Sequence, residues 1–475
     1  MTMEYDIVII GRGAAAFSAA IRASEITSQE ARIAMIGTGP IGGTCVNVGC
    51  VPSKYLIEAS NRAYEPEHQG MKGIYPVKVK YDFSEIMSGL REYVSSARKS
   101  KYADVIANYP NVTVYDGTAR FVDNRRVQVD GERGSTKIIS GTNILVATGS
   151  SPAIPPITGL KGAGFLTSDT AWNMKSIPES LAVIGGGAIG LELGQALLRL
   201  GSRVTIIEAL DSLLPQSEPE MGIILRRRLE HEGMRFFLRT RVNSVRTENG
   251  KKLLEIITSG GKEEISADYI LVAAGRTPNT SSLNLNAAGI EIDSRGGIIT
   301  DSMMRTSAPG IYAAGDCVSK KMLLETLAAR EGAVAAGNMF GQGGEIDYNS
   351  SAWAVFTNPQ VAGVGLTERD YTLKNGTCSC RVFQLSNLTK AGITGNTDGA
   401  IKIIADPQTG RIVGMHMISP NATDIITEGA YAVRKGLTYE ELIETSHIFP
   451  SYSEGVKLAA QSFIRDISKM SCCVE

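Results

Sequence analysis

The apolar positions of this chain fall into a pattern that occurs twice. An apolar strand at Tyr5–Ile10 runs into Gly11-Arg12-Gly13-Ala14-Ala15-Ala16. An alanine-rich helix follows, and a second apolar strand comes at Arg32–Ile36. The succession returns as Ser180–Ile184, Gly185-Gly186-Gly187-Ala188-Ile189-Gly190, a helix to about Leu200 and a strand at Arg203–Ile207. Strand, glycine turn, helix and strand in that order make a Rossmann-like dinucleotide-binding unit, so the pattern predicts two such units in one α/β chain. Residues 80–105 read as one long helix with a polar face, and 111–146 as short strands ending in Asn143–Ala147. Three prolines in Gly149–Pro156 mark a linker. Residues 235–275 alternate as strands, and Phe340–Asn349 reads as a second linker. Beyond it, strands at Arg381–Leu385, Ala400–Ala405 and Ile412–Met417 and helices at Asp424–Gly436, Thr438–Thr445 and Ser453–Asp466 predict a compact α+β unit.

Composition narrows this picture. The chain has 475 residues with 48 Lys+Arg against 49 Asp+Glu. That balance gives no electrostatic reason to expect nucleic acid or an anionic membrane as partner. No apolar stretch approaches the roughly 20 residues that span a bilayer, and no targeting signal is visible, so a cytoplasmic protein is expected. Seven cysteines are too few for a disulfide scaffold, and in that compartment paired cysteines suggest redox chemistry or metal binding.

In the first glycine motif, Gly11 permits the tight turn, Gly13 lets a pyrophosphate approach the backbone, and Ala16 allows close helix–strand packing. The acid expected at the end of the next strand is missing, since the strand ends Met35-Ile36-Gly37. The second motif is complete: Gly185, Gly187 and Gly190, then Glu208 at the end of Thr205-Ile206-Ile207-Glu208. A carboxylate there accepts hydrogen bonds from ribose hydroxyls and repels a 2′-phosphate, so NADH is expected over NADPH. The competing reading makes Glu208 a solvated strand end and lets Arg203 or another base serve a phosphate. Between the motifs, Cys45 and Cys50 lie five apart at the start of a helix, with Lys54 one turn on. Helix N-terminus and lysine both favour a thiolate; the bland alternative is two buried structural thiols.

The whole stretch Gly42-Gly43-Thr44-Cys45-Val46-Asn47-Val48-Gly49-Cys50-Val51-Pro52-Ser53-Lys54 resembles the redox-active disulfide segment of the flavoprotein pyridine nucleotide–disulfide oxidoreductases, which include dihydrolipoamide dehydrogenase, glutathione reductase and mercuric reductase. Ala147-Thr148-Gly149 resembles the family's crossing out of its FAD domain, Ala274-Gly275-Arg276-Thr277-Pro278-Asn279 the return, and Ala313-Ala314-Gly315-Asp316 the second FAD motif. The resemblance implies an FAD-binding domain in two parts, 1–150 and 276–345, around an NAD(P)-binding domain, 151–275, with a C-terminal interface domain, 346–475, and a homodimer. It implies FAD held by Gly11, Gly13, Ala16, Gly43, Thr44, Lys54, Thr148, Gly149 and Asp316, the last on the ribitol chain. NADH or NADPH would be held by Gly185, Gly187, Gly190, Glu208 and Gly275. Lys54 and Glu192 match the family's ion pair beside the flavin, Cys50 its flavin-side thiolate and Cys45 its outer thiol.

Two departures select within the family. Disulfide reductases carry His-x-His-Pro-x-x-x-Glu near the C-terminus, the second His acting as acid–base and the Glu holding it. Here the stretch is His447-Ile448-Phe449-Pro450-Ser451-Tyr452-Ser453-Glu454. Phe449 cannot carry a proton, and His447 is expected to be structural. The chain also ends Ser471-Cys472-Cys473-Val474-Glu475. Adjacent soft thiolates suit a thiophilic metal; a spurious tail or a redox relay are the competing readings. Together these features resemble the mercuric reductase group. The resemblance implies an enzyme that reduces Hg(II), arriving as thiol complexes, to Hg(0). Cys472 and Cys473 of the other subunit would capture the ion and pass it to Cys45 and Cys50, with Tyr452 assisting. A second such tyrosine is replaced by Phe165. A dihydrolipoamide dehydrogenase-like disulfide reductase and a metal-sequestering flavoprotein without turnover remain the alternatives. Cys378 and Cys380 read as incidental thiols that could bind metal as C-x-C, and Cys317 as core filler.

Overall fold

The computed structural model describes residues 3–131, 134–320 and 322–469. Its first unit is built on a seven-stranded sheet. Met3–Ile10, Ile33–Gly37, Val112–Asp116 and the C-terminal half of Thr136–Val146 run parallel, joined late in the chain by Ile311–Ala313. The central strands are buried on both faces, with Ile7–Ile10 and Ile33–Ile36 nearly inaccessible, as parallel strands covered by helices must be. The N-terminal half of Thr136–Val146 turns outward and pairs antiparallel with Arg126–Asp130.

The alanine-rich helix Ala14–Ile26 buries Ala15, Ala16, Ala19, Ala20 and Ala23. Those small side chains let helix Glu325–Met339 come to backbone distance, where a Cβ on Gly332 would sit 2.1 Å from Ala15 O. Glu331 is fully buried on that second helix and takes a hydrogen bond from Gly315 N at 2.7 Å, with Lys320 Nζ at 2.8 Å and Tyr348 Oη at 3.0 Å. The expected Phe340–Asn349 linker is irregular in structure, and this tyrosine anchors it.

The second unit has a four-stranded parallel sheet, in the order Arg235–Phe237, Arg203–Ile207, Ser180–Ile184 and Tyr269–Val272. An antiparallel meander over 241–267 lies beside it. The stretch read as a proline linker contains a strand: Ser150–Pro152 pairs antiparallel with the return crossing Arg276–Pro278. Proline is tolerated because this is a two-stranded ribbon with open edges. The third unit is a five-stranded antiparallel sheet carrying helices Ala422–Lys435, Tyr439–Glu444 and Glu454–Gln461. Two of its strands, Trp353–Val355 and Gln360–Gly365, were not expected from the sequence.

The single helix expected over 80–105 is instead Phe83–Arg98, capped by Asp82, which accepts from Ser84 N and Glu85 N. It continues as a π-helical turn, Lys99–Ala103. Such turns re-aim side chains, and this one carries Tyr102 toward the cysteine pair. Among the described residues no helix is long and apolar enough to cross a membrane.

Candidate functional site

A cleft of about 2080 Å³ runs between the units and is lined by both glycine motifs, the cysteine pair and Asp316. Each motif is shaped by positions that cannot take a side chain. Gly11 has φ +143°, and a Cβ there would lie 2.0 Å from Ala147 O; a Cβ on Gly43 would lie 2.5 Å from Gly13 Cα. In the second unit a Cβ on Gly185 would lie 2.4 Å from Ala273 O, and one on Gly190 would lie 2.2 Å from Gly185 O. Helices Ala14–Ile26 and Ala188–Arg199 start at Gly13 and Gly187 with no side-chain cap. Their first N–H groups face two open cradles of the kind that hold a pyrophosphate, so both fit a dinucleotide.

Glu208 accepts hydrogen bonds from Gly186 N at 2.6 Å and Leu210 N at 2.8 Å. Its carboxylate is thereby fixed at the strand end, with lone pairs left for ribose hydroxyls. At the corresponding place in the first unit, Gly37 leaves room that Arg12 fills: a Cβ at 37 would lie 2.9 Å from Arg12 Cγ. Arg12 donates to Tyr115 O at 2.7 Å and pairs with Asp116 at 2.7 Å. Asp116 stands in register with Gly37 one strand further out. Arg12, the residue between the first two glycines, thus occupies the space beside Gly37 that a longer side chain there would need.

The two crossings meet at Asp316. Ser150 Oγ donates to Asp316 Oδ2 at 2.9 Å, Arg276 Nε donates to Ser150 Oγ at 2.7 Å, and Asn279 Nδ2 donates to Thr148 O at 3.1 Å. Gly149 and Gly275 both have positive φ, with free space where a Cβ would project. Thr44 also lines the cleft, and Ala16 is buried behind the cradle.

Cys45 sits on the short helix Gly43–Asn47, and Cys50 is the first residue of helix Cys50–His68. Both are free thiols. The hydrogen bond from Cys45 pulls the Cys50 pKa down, with help from Lys54 and against the effect of burial. Cys45 is pushed far up by the same hydrogen bond, by burial and by the charge on Cys50. Within the pair, Cys45 is therefore the favoured site for a proton and Cys50 the favoured site for negative charge. Cys45 Sγ donates to Glu325 Oε2 at 2.7 Å, and Tyr102 Oη donates to Glu325 Oε1 at 3.2 Å. The two sulfurs and the carboxylate lie within 4.8 Å of one another. Neither Glu325 nor Tyr102 was expected from the sequence.

Lys54 Nζ meets Glu192 Oε2 at 2.7 Å and lies 4.4 Å from the centre of the Phe356 ring. Glu192 Oε1 accepts from Phe356 N at 2.8 Å. One ion pair thus ties all three units together beside the cysteines.

The C-terminal stretch stands apart from this cleft. Tyr452 is buried in the third unit, with its hydroxyl 2.6 Å from Thr394 Oγ1, and it does not line the cleft of its own chain. Phe165 packs into the core of the second unit. Glu454, which would hold the family's histidine, has one carboxylate oxygen buried with no hydrogen-bond partner, and burial raises its pKa. Phe449 is half exposed. Cys472 and Cys473 lie outside the described residues. Cys317 is fully buried, and Cys378 and Cys380 are joined as a disulfide, so they are not the incidental free thiols expected.

His447 is structural in its contacts. Its Nε2 is 2.8 Å from Glu428 Oε1, and that bond raises its pKa. A raised histidine pKa gives stability that is full below the unfolded value and lost as pH rises through the folded one. Glu428→Gln is accordingly expected to cost about 1 kcal/mol at pH 6 and far less at pH 9, as read by denaturant midpoints. An equal loss at both pH values would refute the pairing.

The family model described as pyridine nucleotide-disulphide oxidoreductase matches residues 5–332, and the one described as its dimerisation domain matches 351–460. A mercuric reductase of Acidithiobacillus ferrooxidans is 38% identical over 474 residues, covering 99% of this chain and 84% of that protein. The crystal structure of LpdA from Mycobacterium tuberculosis superposes with TM-score 0.86 at 28% identity, covering 98% of this chain and 100% of that one. The Cu(II) complex of the HOCl-induced flavoprotein disulfide reductase RclA from Escherichia coli gives TM-score 0.85 at 26% identity, covering 98% and 100%.

Proposed function

The chain belongs to the pyridine nucleotide-disulphide oxidoreductases, and from that premise we propose that it is an NAD(P)H-dependent FAD enzyme reducing Hg(II) to Hg(0). The observation that carries the reading is the Cys45–Cys50–Glu325 cluster, two sulfurs and a carboxylate converging in the cleft. Its near-full-length likeness to mercuric reductases supports it.

FAD, when bound, supplies the two-electron step between nicotinamide and metal. Gly11, Gly13, Ala16, Gly43, Thr44, Thr148, Gly149 and Asp316 would hold it, and Gly185, Gly187, Gly190, Glu208 and Gly275 would hold the nicotinamide nucleotide. Lys54, kept in place by Glu192, sets a positive charge beside the thiolate. The substrate is Hg(II) carried by two small thiolates. The Cys50 thiolate attacks first, forming one S–Hg bond as one carrier thiolate leaves. Cys45 gives its proton to Glu325 and forms the second bond, and the second carrier leaves as the thiol with that proton. Two electrons then convert Hg(II) to Hg(0) and leave both sulfurs as thiolates, and Cys45 regains its proton from the one that oxidation of NAD(P)H releases. The sum is NAD(P)H and the mercury bis-thiolate giving NAD(P)+, Hg(0), one carrier thiolate and one carrier thiol. No acid–base histidine takes part, in keeping with Phe449. A dihydrolipoamide dehydrogenase-like reaction would require one there.

The match to a dimerisation domain supports a homodimer, in which Cys472 and Cys473 of one subunit would deliver Hg(II) to Cys45 and Cys50 of the other, past Tyr452. The test is mercury-dependent NADH and NADPH oxidation with detection of volatile mercury. Wild type is compared with Cys472→Ala/Cys473→Ala. Turnover is expected in wild type, with NADH preferred because of Glu208, and slowed capture of thiol-bound mercury in the double variant. Stoichiometric binding without turnover would overturn the enzyme reading. Unimpaired capture by the double variant would overturn the role of the tail.

A further inference from the structure

The third unit carries a cysteine pair that the proposed reaction does not use. Cys380 lies on Ser379–Gln384, the edge strand of the five-stranded sheet, and Cys378 just precedes it. Glu368, the first residue of helix Glu368–Asn375, brings a carboxylate to the same spot. The two sulfurs and a Glu368 oxygen lie within 4.8 Å of one another. Behind them is a concentration of negative charge. Lys402, on the neighbouring strand and almost wholly buried, meets Glu218 and Glu220 at 2.8 Å and Glu368 at 2.7 Å. One ammonium thus faces three carboxylates, and the second oxygen of Glu220 is buried without a hydrogen-bond partner. Glu218 is buried while Glu220 and Glu368 are partly exposed, so within this group three carboxylates against one ammonium leave net negative charge beside two sulfurs, where a cation can enter from solvent.

The disulfide itself makes a poor staple. It joins residues two apart, so the loop it closes removes little freedom from the unfolded chain.

We propose that Cys378, Cys380 and Glu368 form a second metal site, specific for a thiophilic divalent cation and gated by the redox state of the two sulfurs. A low-molecular-weight thiol opens it: two such thiols give two electrons and two protons to the disulfide, leaving two protein thiols and one small-molecule disulfide. The cation then forms two S–metal bonds, releasing two protons, with Glu368 as third ligand. Once the cation has left, a low-molecular-weight disulfide closes the site by the reverse exchange, taking two electrons and two protons from the protein thiols and leaving as two small thiols. None of the three residues lines the cleft, although Asp370 and Lys374 of the same helix do, and the site's existence does not depend on which reaction the cleft performs.

The test uses the full-length flavin-loaded protein with Cys45, Cys50, Cys472 and Cys473 replaced by serine, which leaves Cys378, Cys380 and the buried Cys317. The probe is Cd(II), which is redox-inert and gives an ultraviolet thiolate-to-metal absorption. After reduction and removal of the reductant, one equivalent is expected to bind. None is expected in protein left oxidised, or when Cys378→Ser/Cys380→Ser is added. Glu368→Gln is expected to weaken binding on the order of tenfold. Uptake no greater than in the added-serine control, or uptake indifferent to prior oxidation, would overturn the site. Wild type supplies a second measurement should the multiple variant not fold. Cd(II) is expected to shield both Cys378 and Cys380 of the reduced protein from alkylation, mapped by peptide mass, and unshielded labelling of both would refute the proposal.

Discussion

Cys50→Ser is expected to lower mercury-dependent NAD(P)H oxidation by on the order of 10³-fold or more. The residue combines three things serine cannot supply together. Its sulfur is soft, its position at the start of helix Cys50–His68 puts the dipole behind a negative charge, and Cys45 and Lys54 both favour its thiolate form. A serine hydroxyl stays protonated and is a hard ligand that Hg(II) ignores. Cys45→Ser is expected to do nearly as much damage, because one sulfur cannot take the ion away from two carrier thiolates. The double variant should be scarcely worse than either single one, since the pair acts as a unit. Both thiols face the cleft, so denaturation midpoints should barely move. Steady-state rates with thiol-bound Hg(II) decide the matter, and a Cys50→Ser rate within about tenfold of wild type would remove the pair from the reaction.

The second large effect belongs to Gly11→Ala. Two costs coincide there: φ is +143°, and the new Cβ would meet the Ala147 carbonyl at 2.0 Å. Ala147 belongs to the crossing segment, so relief means moving either the first cradle or the path between units. A loss of about 3 kcal/mol or more is expected, together with poor flavin retention, read from denaturation midpoints and from the flavin-to-protein absorbance ratio. Gly187→Ala is the matched control. Nothing lies within 4 Å of the Cβ it would add, and its φ is ordinary. It should keep wild-type stability while raising the KM for the nicotinamide coenzyme, because that open space is where a pyrophosphate would approach. An unchanged midpoint for Gly11→Ala would contradict the steric account.

The glycine motifs, the cysteine segment and most strands could be read from the chain because what shapes them is local. A positive φ, an apolar run or a thiol at a helix start is written within a few neighbouring residues. Glu325 could not be read this way. It meets Cys45 from 280 residues away and is presented by a helix that looks unremarkable in isolation. Tyr102 was hidden by a π-helical turn that no periodicity announces. The paired crossings were masked by prolines that usually end strands, and Gln360–Gly365 by two glycines inside it. Cys378 and Cys380 were visible as a spacing, but Glu368 and the charges gathered behind it exist only once helix and sheet are brought together.

The first sheet is closed by Ile311–Ala313, and the helix that seats against Ala14–Ile26 spans Glu325–Met339. During synthesis the segment that begins the chain must therefore wait, its alanine face uncovered, until those residues leave the ribosome. The inserted unit draws its parallel sheet from residues 180–272 and can settle earlier. The order of completion is the reverse of the order of translation for the two nucleotide cradles. A nascent chain stalled before Ile311 would be protease-resistant in its middle and cleavable at its beginning.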